Sequence, residues 1–97
     1  MYSTNNTIEY YEARKMGKYQ TQKGRMFEAD IAKYMIVCRV KSKDELRQHT
    51  TIGSNNTMLK YMDNPEKMPL GNFMEIMSAL KIPKDERLQI LERLIEN

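Results

Sequence analysis

The chain of 97 residues has one cysteine, Cys38, one histidine, His49, and no tryptophan. A single cysteine excludes an internal disulfide, and with one histidine it also excludes a zinc site built from the usual Cys and His ligands. No apolar run comes near the roughly 18 residues of a membrane span. The opening stretch MYSTNNTIEYYEARK lacks the basic-then-apolar order of a signal peptide, so the expected address is the cytoplasm. Alternating strand patterns are missing as well, and Thr50-Thr51-Ile52 is too short to start a sheet. His49 has Asp44 and Glu45 close by in sequence, but polar neighbours at that spacing on a short helix are commonplace and no nucleophile accompanies them. The sequence therefore points away from an enzyme, and to no metal or cofactor.

What is present suits one small domain. A chain of this length buries roughly two-thirds of its extended surface, enough for a single modest core. The apolar fraction of 40% can supply that core. The charges are unevenly placed. Residues 1–25 sum to +3, residues 33–60 to +4, and residues 61–97 to −2. A basic arm and a basic middle beside an acidic tail suit a polyanion held against one face, although a net charge of +3 is also ordinary for a soluble protein.

Two units follow: a basic arm over 1–25 containing Tyr2, Tyr10, Tyr11 and Tyr19, and a helical domain over 26–97. Three readings of the arm stay open. It is a hydrophobic strap folded on the domain, a segment without fixed order, or a set of tyrosines that stack on bases. Thr7 offers a cap for a short helix through Met16.

From residue 26 the apolar spacing is helical. Phe27, Ile31, Tyr34, Met35 and Cys38 form one stripe, which makes Cys38 a packed thiol. Ser42 with Glu45 reads as a capping box for a second helix over 43–50. Gly53-Ser54 turns and caps a third over 55–62, which Asp63-Asn64-Pro65 ends. A fourth is expected over 70–80 and a fifth over 84–95. The fold class is thus an all-α bundle of five short helices. Its expected core is Phe27, Ile31, Met35, Leu46, Ile52, Met58, Tyr61, Phe73, Ile76 and Leu80. Met35, Met58, Met74 and Met77 sit near the core stripes as adaptable packing.

The segment from Ser42 to Met62 reads as a capped helix, a turn and a second short helix, the form of a helix-turn-helix DNA reader. Ser54, Asn55, Asn56 and Thr57 open the second helix. A cap accounts for one of these residues more easily than for the whole polar run. Residues 31–83 resemble the phage-repressor (lambda-repressor-like, Cro-type) helix-turn-helix domains. Ser42-Lys-Asp-Glu-Leu46 stands where that family often has Ser-Gln-Glu-Glu-Leu, and Ile52 stands at the isoleucine of its turn. Thr57-Met58, Tyr61 and the run Leu70, Phe73, Ile76, Met77, Ala79, Leu80, Ile82 follow its later pattern. Arg47 departs from the small alanine usual at the helix crossing, so either it extends outward or the crossing widens. Thr51 replaces the usual turn glycine, Gly53 appears two residues later, and one extra residue separates Ile52 from Met58.

The resemblance implies sequence-specific duplex DNA binding by a small transcriptional regulator of phage or mobile-element type. On the helix-turn-helix geometry, Asn55, Asn56 and Lys60 are the base-edge candidates, with Leu59 free to touch a thymine methyl. Ser54, Thr57, Lys43 and Arg47 fall nearer the phosphates, flanked by Lys41 and Lys67. The family's habits favour Lys43 and Lys67 among these. Leu88, Leu91, Leu94 and Ile95 form a terminal stripe that either packs back on the fourth helix or makes a homodimer of the kind the family often builds through this end. The alternative is a protein-interaction module, or a phage-type inhibitor, that keeps the fold and binds a protein partner instead.

Overall fold

The computed structural model describes residues 20–96. The expected Thr7–Met16 helix and the tyrosines of the arm lie outside the described residues. Within them the chain forms five α-helices: α1 Gln22–Val37, α2 Lys43–Arg47, α3 Asn55–Asp63, α4 Leu70–Ala79 and α5 Lys84–Ile95. A 3-10 turn, Pro65–Lys67, links α3 to α4.

The first helix begins earlier than its apolar stripe suggested, inside the segment read as the arm. Thr21 caps it, its Oγ1 accepting from the Gly24 amide at 3.0 Å. The same hydroxyl donates to the Asp63 carbonyl at 3.1 Å, and the Thr21 amide donates to it at 3.2 Å. The start of α1 is thereby sewn to the end of α3. Gly24 makes the junction possible, since a Cβ there would stand 2.3 Å from the Asp63 carbonyl oxygen and 2.7 Å from that of Met62.

Two helices end in the same way. After α1, Arg39 takes φ 59°, and the Val40 amide reaches back to the Met35 carbonyl at 2.8 Å. After α4, Lys81 takes φ 52°, and the Ile82 amide reaches the Met77 carbonyl at 3.0 Å. Both are Schellman ends, with a long cationic side chain at the position usually given to glycine. The apolar residue after each left-handed position turns inward, so Ile82 is buried and Val40 packs on the core.

The second helix is shorter than expected. Beyond Arg47 the amides of His49 and Thr50 bond to the carbonyls of Leu46 and Arg47, the tighter spacing that closes a helix. Its cap is also a variant of the expected box. Ser42 Oγ accepts from the Glu45 amide at 3.1 Å, while Glu45 reaches one residue further back, to the Lys41 amide at 2.7 Å.

The core draws Phe27, Ile31 and Tyr34 from α1, Leu46 from α2, Met58 and Met62 from α3, Phe73, Ile76 and Met77 from α4, and Ile90 and Leu94 from α5. The Phe27 and Phe73 rings lie 6.3 Å apart. Met35 and Tyr61, expected inside, are only partly buried, and their places are taken by Tyr34 and Met62 one position away. Met74, expected near the core, is 44% exposed. Cys38 is half-buried, with its Sγ 3.0 Å from the Leu80 carbonyl. No helix among the described residues is long and apolar enough to cross a membrane.

Candidate nucleic-acid interface

The third helix is held on several sides and shows one face outward. Met58, Leu59, Met62 and Asp63 are buried, and at about 100° per residue they occupy one side of the helix. Thr57 and Lys60 fall on the other, and Asn56 lies at its edge, next to Asp63. Asn56 and Lys60 are one turn apart, so their side chains project together. Lys60 is exposed, while Asn56 and Thr57 are half-buried.

Ser54 caps this helix, its Oγ accepting from the Thr57 amide at 3.2 Å and lying 2.9 Å from the Thr57 hydroxyl. The two hydroxyls therefore sit together at the positive end of the helix dipole, where an anionic oxygen would be favoured.

The other expected contacts divide. Leu59 is 7% exposed, too little to meet a thymine methyl, because its position on α3 falls within the inward arc shared with Met58 and Met62. Asn55 is also turned toward the protein: its Oδ1 is buried and accepts no hydrogen bond among the described residues. The base-edge candidates that face outward are Asn56 and Lys60. Lys43 forms an ion pair with Glu28 of α1 at 2.5 Å. Arg47 extends along the turn instead of crowding the helix crossing, with its Nε on Asp44 at 2.8 Å and its Nη1 on the Ile52 carbonyl at 3.3 Å. Lys41 and Lys67 are exposed, one just before α2 and the other in the 3-10 turn.

A network that the apolar pattern did not reveal surrounds the turn before α3. Both carboxylate oxygens of Glu75, on α4, lie 3.1 Å from the Thr51 amide. The Thr51 hydroxyl donates to Glu75 Oε1 at 3.0 Å, and Asn72 Nδ2 reaches the same oxygen at 2.8 Å and the Thr51 hydroxyl at 3.1 Å. These donors favour the charged form. Asn72, then the Thr51 amide, hold the Glu75 carboxyl below the usual glutamate range. The one sequence signal for it was Thr51 itself, the residue standing in place of a turn glycine.

The terminal stripe splits between inside and outside. Leu94 is 8% exposed and belongs to the core, so it is not available to a second copy of the chain. Its neighbour on the inner face is Ile90, and both pack toward α1. Leu88 and Ile95 remain exposed at 52% and 71%, and Leu91 is partly buried. Leu88 and Leu91 line a groove between α4 and α5 with Phe73, Met74 and Ile82. Comparisons with protein-family models, curated proteins and solved structures find no match to this chain.

Proposed function

We propose that this protein binds duplex DNA sequence-specifically through a helix-turn-helix formed by α2 and α3, as a small transcriptional regulator of the phage-repressor type. The observation that carries the reading is the outward face of α3, where Asn56 and Lys60 project one turn apart beyond the Ser54–Thr57 hydroxyl pair. An asparagine can pair with the two major-groove atoms of adenine, and a lysine can donate to guanine. Hydroxyls at the helix start suit a phosphate. The basic balance of residues 33–60 adds the charge that such a contact needs.

Titration against selected and random duplexes at two or more salt concentrations tests this. Asn56→Ala is expected to reduce discrimination between the two by about 1–3 kcal/mol. Lys41→Ala is expected to weaken binding to both alike and to lower the salt slope by about one unit. An intact protein that binds no duplex even in low salt ends the reading.

A second reading draws on a different observation. The groove between α4 and α5 leaves Met74 and Leu88 substantially exposed, an apolar surface suited to a protein partner or to a second copy of the chain. As a regulator the protein would use this face to dimerise and read two half-sites. As an interaction module it would use the face without DNA.

A further inference from the structure

Resting on the DNA-binding reading, we infer that Glu75, with Arg47, is a positioning residue that sets the approach of α3 to the groove and so governs sequence discrimination. The turn between α2 and α3 departs from the repressor pattern in three ways: Arg47 for a small residue, Thr51 for glycine, and one residue of extra length. Left alone, a longer turn would place α3 loosely. Two of the departures are instead the points where the turn is held. Arg47 reaches from α2 to the Ile52 carbonyl at 3.3 Å, its guanidinium fixed by Asp44 at 2.8 Å. Glu75 reaches from α4 to the adjacent residue, taking the Thr51 amide and hydroxyl, with Asn72 closing a triangle of bonds among the three side chains.

The two holds act on neighbouring residues of one connection, one from α2 and the other from α4. Ile52, whose carbonyl takes the Arg47 bond, is buried at 5% exposure, so the turn is pinned by an inward side chain as well as by polar bonds. None of these groups lies on the outward face of α3. Their effect on DNA would pass through the orientation of Asn56 and Lys60, which a displacement of about 1 Å can spoil.

Glu75→Ala tests the inference. Alanine is the strongest helix former, and the site is on the surface side of α4, so the fold is retained. Thr51→Val provides a second variant that removes only the hydroxyl. In the intact protein the Thr51 amide is expected to exchange slowly by NMR. In Glu75→Ala it should exchange about tenfold faster, as the loss of a charge-assisted bond implies. The preference for a selected over a random duplex should fall about tenfold while random-duplex affinity stays unchanged. A merely structural loss would lower both affinities together and would overturn the inference. An unchanged Thr51 amide overturns it without reference to DNA. A faster amide with undiminished preference overturns it while leaving DNA binding intact. An intact protein that binds no duplex removes the DNA-binding reading and this role with it.

Discussion

Tyr34 is buried to 8% exposure on α1, yet its hydroxyl donates to Glu86 at the start of α5, and Lys33 sits 5.3 Å from the centre of its ring. The hydrogen bond to Glu86, then burial and the nearby carboxylates, push the phenol up to about 12. The folded state therefore holds this proton more tightly than the unfolded chain, whose tyrosines ionise at about 10. The contribution to stability is complete below about pH 10 and is lost as pH rises toward about 12. Stability measured by denaturant unfolding followed by circular dichroism is expected to fall over that window, and Tyr34→Phe should flatten the slope. The same residue shows where a sequence stops being legible. Tyr34 and Met35 both lie on the stripe, and spacing alone does not say which one turns fully inward. The choice follows from Glu86, which accepts the hydroxyl and lets tyrosine be buried without an unpaired donor. Leu59 teaches the same lesson in reverse. On a helix as short as α3, two neighbouring inward residues, Met58 and Leu59, already span most of the buried arc.

At the level of elements, the stripes located α4 and α5 closely because each is bounded by a proline at its start and carries regular apolar spacing. The beginning of α1 was hidden because its first turn is polar and contains Gly24, which reads in sequence as an interruption. In the fold that glycine is a contact point against the carbonyls that end α3. Gly24→Ala would be favoured by helix propensity alone, by about 1 kcal/mol. The new methyl would meet backbone atoms that cannot rotate away. The expected net effect is a loss of about 1–3 kcal/mol, read from the denaturant midpoint. The shortened α2 was equally hidden, since the polar run after Arg47 contains no breaker. The Glu75 network was out of reach for another reason: it joins residues 24 positions apart through exposed polar groups, for which no periodicity exists.

For the whole molecule, the sequence conveyed the all-helical class and most of the core. It did not convey which side of α5 faces α1. With Leu94 inside, self-association through the terminal stripe draws on Leu88, Leu91 and Ile95, with the adjoining Met74. If a homodimer forms there, Leu88→Glu is expected to give a folded monomer, because a half-exposed site tolerates the charge, and light scattering at matched concentrations would show the halved mass. Leu94→Glu should instead unfold the chain, by placing a carboxylate in the core. An intact protein that remains monomeric at high micromolar concentration would remove the homodimer.

The first and last helices run side by side in opposite directions, tied at three levels. Lys23 reaches the carbonyls of Leu94 and Glu96, Asp30 pairs with Arg93 at 3.0 Å, and Tyr34 bonds Glu86. Residues 20 and 96 consequently leave this pair at the same end. A force applied through those two points loads the ties one after another, from Lys23 to Tyr34, as a zip is opened. A force applied through Val37 and residue 96 strains all three together. An optical-tweezers comparison of the two attachments should find the first opening at clearly lower tension, so that the resistance of this fold to pulling depends on where it is held.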